Sequence, residues 1–193
     1  MKGSLFFSRE YFPLFISQTS AVFVDNLYRT AFVLLVLYTA TAEHLDASVK
    51  YDYSILSAAM LTLPFFIFSS IAGDICDKLS KSRLIMAFKA AELGILIVGC
   101  YAVFTSSLNL MLLTIFLLGA HSAFLSPLKL AILPEYLSDT QLLRGNSYFE
   151  IGIFSAIILG EVLANLMFSH ERYGITILVG LLLAISITGF IAS

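Results

Sequence analysis

The sequence predicts an all-α integral membrane protein whose six helices each cross the bilayer. Three observations carry that reading. Only 12% of the residues are charged and 59% are hydrophobic, with a mean hydropathy of +0.94, whereas a soluble domain carries about 25% charge. The apolar residues come in runs near the roughly 20 residues that a helix needs to traverse the hydrocarbon core. No run alternates with the period of two that a membrane barrel needs, so the backbone must satisfy its polar groups as helix.

The runs fall at about 11–40, 53–73, 84–104, 108–129, 147–168 and 174–192, joined by polar connections at 41–52, 74–83, 105–107, 130–146 and 169–173. The first follows MKGSLFFSRE, a start like that of a signal peptide. Its apolar stretch is too long and lacks a small-residue cleavage site, so the expectation is an uncleaved first span, long enough to tilt or to extend beyond the bilayer. Pro64 is expected to kink the second, since proline removes one rung of the helical ladder. In the connection after the fourth, LKLAILPEYLSDTQLLRGN, Pro134 is placed to open a short helix, PEYLSD. Ser138-Asp139 is placed to cap a second helix leading into span five. Leucines and tyrosine alternating with charges suggest that this element lies along the membrane surface.

Lysine and arginine placement sets the expected orientation. With both termini cytoplasmic, the inner set is Lys2, Arg9, Lys78, Lys81, Arg83, Lys129 and Arg144, against Lys50 and Arg172 outside. The acids Glu43, Asp46, Asp52 and Glu171 fall outside, where they weigh little in this rule. No basic tract offers itself to nucleic acid, and none is expected as a partner. Cys76 and Cys100 lie in a charged connection and an apolar run; they read as packing residues, with no disulfide and no metal site. No cofactor or metal is expected. Enzyme chemistry is not expected either, because no nucleophile–base pair at helical spacing and no His/Glu cluster occurs.

Polar residues within spans are costly, about 2.5–3.5 kcal/mol for a charge, and tend to face an interior. Span one holds Gln18, Asp25, Asn26 and Arg29. Asp25 and Arg29 are four apart, which puts them on one face with the acid first, the order that favours pairing; Gln18 extends the stripe by two turns. These residues form either a wall of a transport pathway, with Arg29 meeting a phosphate and Asp25 positioning it, or a structural ion pair between packed helices. Span five carries Asn146, Glu150, Glu161 and Asn165 at spacings of four, eleven and four, again one side of a helix. Glu161 reads either as a proton-coupling group or as a neutral hydrogen-bonded one. Lys89 and Glu92, three apart, read either as a structural pair orienting span three, with Lys89 reaching toward the inner surface, or as residues of the pathway. His121 stands alone as a packing histidine or a proton carrier. Glycines, alanines and serines in spans two, three and five, among them Gly94, Gly99, Gly152 and Gly160, are expected to let helix backbones approach closely.

The connection after span two reads GDICDKLSKSRL, from Gly73 to Leu84. It resembles the signature loop G-x-L-A-D-R-x-G-R-K/R-x-L of the major facilitator superfamily. Gly73, Asp77, Lys78, Lys81, Arg83 and Leu84 fit by type, Ser80 replacing the second glycine. In this reading Gly73 lets two helices pack closely at the turn. Further stretches point to one branch of that superfamily: FPLFISQTSAVFVDNLYRTAFVLLV in span one, LPFFIFSS before the loop, and SPLKLAILPEYLSDTQLLRGNSYFE across spans four and five. These resemble the lysophospholipid transporters, including the transporter domain of bifunctional acyl-glycerophosphoethanolamine acyltransferases, over nearly the whole chain. The R-x-x-Q-G pattern of proton-coupled facilitators in span four is missing apart from Gly119, as is the glycine- and proline-rich pattern of drug antiporters in span five.

The resemblance implies the N-terminal six-helix half of a major facilitator fold in a bacterial inner membrane. It implies movement of lysophospholipids, chiefly lysophosphatidylethanolamine, by alternating access. Asp25, Asn26 and Arg29 would be pathway residues, Glu150 would lie at the cytoplasmic mouth, and Gly73, Asp77, Lys78, Lys81 and Arg83 would form a conformational switch. Only one six-span half is found in 193 residues, so the expected partners are membrane lipid, the lysophospholipid, and a second six-helix half or an acyltransferase. The alternative is a non-transporting membrane partner or truncated remnant that assembles with one of those.

Overall fold

The computed structural model describes residues 5–9, 11–38, 45–168 and 174–193; Lys2, Glu43, Glu171 and Arg172 lie outside the described residues. After a single 3-10 turn at Leu5–Phe7 come α1 (Tyr11–Tyr38), α2 (Ala47–Lys78), α3 (Lys81–Phe104), α4 (Leu108–Tyr136), α5 (Asp139–Phe168) and α6 (Gly174–Ile191). All six are long and apolar enough to cross a membrane, and the chain is an all-α, multi-pass membrane protein. Large apolar side chains such as Phe66, Ile97, Leu143 and Ile151 point outward, as they must where the surroundings are hydrocarbon.

Two helix junctions are much shorter than their polar sequence suggests. The expected connection 74–83 shrinks to Leu79 and Ser80, both extended. Leu79 N–H still bonds the Ile75 carbonyl, while the Ser80 carbonyl takes the N–H groups of Arg83 and Leu84. Charged side chains do not end a helix; they move it out of the hydrocarbon, and the Asp74–Lys78 pair at i,i+4 (2.6 Å) supports the last turn of α2. The expected surface element at 130–146 is likewise absent. α4 runs through Pro134 to Tyr136 instead of restarting there, its last turn lacking the one backbone bond that proline cannot donate. α5 then starts at Asp139. The helix start is closed from Gln141 and not by a Ser138 side-chain cap: Ser138 N–H donates to Gln141 Oε1 at 3.3 Å, Gln141 N–H bonds the Ser138 carbonyl at 2.8 Å, and Ser138 Oγ meets Thr140 Oγ1 and Gln141 Oε1 at 3.2 and 2.9 Å, neither of them a backbone N–H.

α1 is the central helix, with 56% of its most apolar window buried, against 17% for α2 and 22% for α5. It packs on α2, α4, α5 and α6, while α4 packs on α2, α3, α1 and α5. Exchanging α1 with α4, α2 with α5 and α3 with α6 carries every contacting helix pair except α5–α6 onto another contacting pair. The bundle thus has an approximate two-fold pattern between its first three helices and its last three.

The interior is layered. One apolar cluster, around Leu27, Phe32, Leu96, Ile115 and Leu182, fills the end toward the α3–α4 turn. Another, around Tyr11, Leu14, Ile85, Leu128 and Phe149, fills the opposite end. Between them along α1, α3 and α4 lie the buried polar residues Ser17, Gln18, Ser20, Lys89, Glu92 and His121.

Candidate functional site

The polar layer contains two distinct arrangements. The first lines a cavity of about 240 Å³ bounded by α1, α2, α4 and α5, with Gln18, Asp25 and Asn26 on one wall and Ser122, Ser126 and Lys129 on another. Leu61, Phe65 and Ile153 supply apolar wall. On α1 the polar positions recur at seven and eight residues, and on α4 at four and seven; both spacings hold a helical face toward one point.

Asp25 is 5% exposed. Its Oδ2 accepts a hydrogen bond from Ser122 Oγ at 2.5 Å, while Oδ1, equally buried, has no protein partner. A buried carboxylate oxygen left unpaired is expensive, so this atom is the most demanding polar group on the wall. Gln18 Nε2 donates to the Leu125 carbonyl at 3.0 Å, tying α1 to α4. Asn26 Nδ2 donates to the Val22 carbonyl of its own helix at 2.8 Å, so its amide oxygen is the part left to the cavity. Lys129 Nζ stands 3.2 Å from Glu150 Oε1 and 5.5 Å from the centre of the Phe149 ring.

The expected Asp25–Arg29 pair does not form. Arg29 Nη2 instead donates to Glu161 Oε1 on α5 at 3.0 Å, with side-chain exposures of 24% and 43%. The reason lies one residue earlier. A Cβ on Gly160 would stand 2.9 Å from the Phe23 carbonyl oxygen and 3.1 Å from the Leu27 nitrogen; its absence lets α5 close on α1 and brings Glu161 within reach. The face on α5 is accordingly divided: Glu150 turns to α4, Glu161 to α1, and Asn165 donates to the Glu161 carbonyl at 2.9 Å.

The second arrangement lies deeper. Lys89 and Glu92, both with fully buried side chains, pair at 2.6 Å. Lys89 also donates to Ser20 Oγ at 3.1 Å, and Ser186 Oγ donates to Glu92 Oε1 at 2.9 Å. The network therefore fastens α3 to α1 and α6. Lys89 does not reach for the surface; an anionic partner one turn away holds it in the core. His121 Nε2 lies 3.6 Å from Glu92 Oε2, and neither ring nitrogen completes a hydrogen bond.

The signature stretch is arranged around α4. Lys81 donates to the Ala131 carbonyl at 3.1 Å and pairs with Glu135. Lys78 pairs with Asp74, Arg83 is exposed, and the Asp77 side chain lies outside what is described. Gly73 does not serve close packing, since a Cβ there would meet nothing within 4 Å. Gly94 is equally open, whereas Gly99 and Gly152 do sit in close contacts.

Sequence reasoning missed Ser122 and Ser126 and counted Lys129 only for orientation. Their spacing of four and seven on one apolar helix was the available signal. Among the described residues no three His, Cys, Asp or Glu side chains are grouped to hold a metal. No protein-family model matches the chain, and no curated protein matches it.

Proposed function

We propose that this chain is one six-helix half of a secondary transporter of the major facilitator type, moving lysophosphatidylethanolamine-like lysophospholipids across a bacterial inner membrane. The observation that carries the reading is the cavity at Asp25. It sets an acidic group, Asp25 with its unpartnered Oδ1, and a basic one, Lys129, on walls of one cavity. A zwitterionic head group has the matching ammonium and phosphate, and about 240 Å³ suits a head group more than a whole amphiphile. The near two-fold relation between the first and last three helices supports the family reading, because repeats of that kind place substrate between them. So do the sequence stretches from Gln18 to Arg29 and from Gly73 to Leu84. Arg29 and Glu161 join α1 to α5 outside the cavity, and Lys81 with Glu135 joins α3 to α4; both pairs are suited to hold one state of a rocking bundle.

A direct test is binding of lysophosphatidylethanolamine to the purified chain, which does not require a second half. Asp25→Asn and Lys129→Gln should each weaken it about tenfold, the loss of one charge-assisted contact. Binding that neither substitution changes would sink the proposal.

A second reading is favoured by the outward apolar surfaces of α2 and α5, the least buried helices apart from the chain's own packing needs. In that reading the bundle is a non-transporting partner that assembles with another six-helix bundle or an acyltransferase. Co-purification with such a chain, together with no head-group binding at Asp25, would favour it.

A further inference from the structure

We propose that a lateral groove between α1, α5 and α6 seats one acyl chain of a membrane phospholipid, with the lipid phosphate held at Arg144. The proposal does not depend on the transport reading.

The groove has a volume of about 500 Å³ and is walled by Phe15 and Phe23 of α1, Tyr148, Ile151 and Leu159 of α5, and Ile185 of α6. Three of its hydroxyls bond within their own helices. Thr19 donates to the Phe15 carbonyl at 2.7 Å, Ser20 to the Ser17 carbonyl at 2.9 Å and Thr188 to the Ala184 carbonyl at 2.8 Å. They therefore present carbon to the groove.

Dimensions select the occupant. Tyr148 to Leu159 covers about 17 Å of helix, close to the roughly 15 Å of one leaflet of the hydrocarbon core. A volume of about 500 Å³ over that length leaves a narrow slot, which a single hydrocarbon chain can fill along its whole run.

Charge selects the orientation. Phe6 closes one end of the groove, its ring 4.9 Å from Phe15 and 5.6 Å from Tyr148. One turn beyond Tyr148, on the same face of α5, stands Arg144, exposed and without an ion pair among the described residues. An aromatic ring at head-group depth followed by a free cation is the arrangement expected at a phospholipid's polar end.

The test uses the full chain in vesicles of phosphatidylethanolamine and phosphatidylglycerol, with a trace of phosphatidylglycerol carrying a diazirine midway along one acyl chain. Irradiation and peptide mapping should place adducts on the groove segments of α1 and α5 in excess over the outward face of α2 at Phe66 and Ile67. Ser155→Phe and Ile151→Trp, which fill the groove from exposed positions, should each cut those adducts about fivefold, while Ile158→Phe, exposed but outside it, should not. Arg144→Gln should lower labelling by phosphatidylglycerol but leave labelling by a diazirine diacylglycerol unchanged. Adducts spread evenly over the lipid-facing surface would overturn the proposal. So would labelling insensitive to both filling variants where these unfold at the parent temperature, and so would chain-to-chain cross-links in the groove, which would assign it to a second copy.

Discussion

Arg29 Nη2 lies 3.0 Å from Glu161 Oε1 and joins α1 to α5 across a gap that Gly160 keeps narrow. The pair is part-exposed, so its worth to stability is small, about 0–1 kcal/mol. Its value for function is its position between two helices that flank the cavity. Arg29→Ala and Glu161→Ala should each leave thermal unfolding in detergent nearly unchanged; under the proposed transport function they should also reduce lysophospholipid uptake when the chain is paired with a second six-helix half. The charge reversal Arg29→Glu with Glu161→Arg should recover part of that loss. Uptake equal to the parent in both single variants would remove this pair from the mechanism.

Asp25 offers a sharper separation of fold from function. Asn at position 25 still accepts a hydrogen bond from Ser122 through its amide oxygen, so Asp25→Asn should unfold near the parent temperature. Ser122→Ala leaves the buried Oδ2 without its donor and should destabilise by about 1–3 kcal/mol. Asp25→Asn should nonetheless bind lysophosphatidylethanolamine more weakly than Ser122→Ala, because only the former removes the acidic group proposed to meet the ammonium. The reverse order, read by unfolding and by binding on the same preparations, would make Asp25 a structural residue.

How far these arrangements could be read beforehand depends on how local each one is. The six spans were legible because hydropathy is a property of consecutive residues. Lys89 with Glu92 was legible because a spacing of three already brings side chains together. The place where α5 starts, just after Ser138, was legible from its own polar sequence, though the bonds that close it come from Gln141. Asp25 and Arg29 mislead for the same reason: their spacing says that they can meet, not that Ser122 and Glu161 on other helices meet them better. Junction lengths failed because a polar side chain marks where hydrocarbon ends, and a helix can continue past that depth. Only the fold can show the partners of Gln18, Lys81 or Gly119.

Glycines make this difference testable. A Cβ on Gly119 would run into the carbonyl of Leu61, a backbone atom that cannot turn aside, so Gly119→Ala should separate α4 from α2 and lower stability by about 1–3 kcal/mol. Gly73 sits inside α2 with open space around it. Gly73→Ala should therefore be neutral or should stabilise by about 0.5–1 kcal/mol, the usual helical advantage of alanine. Thermal unfolding of both variants in one detergent checks the contrast. If Gly73→Ala proved the more damaging, the open surroundings of that position would be wrong.

The Lys89–Glu92 pair carries the largest expected effect on stability. Both side chains are fully buried, and each has a second partner, Ser20 for the lysine and Ser186 for the acid. Removing one charge strands the other in a medium that cannot solvate it. Lys89→Met and Glu92→Leu should therefore each cost about 3–5 kcal/mol. The double variant Lys89→Met with Glu92→Leu leaves no charge behind and should lose less than the sum of the single changes, by about 1–3 kcal/mol of coupling. Expression level and unfolding temperature of the four proteins close the cycle. Strict additivity would mean that the two residues act independently, and that α3 is held to α1 and α6 by apolar packing alone.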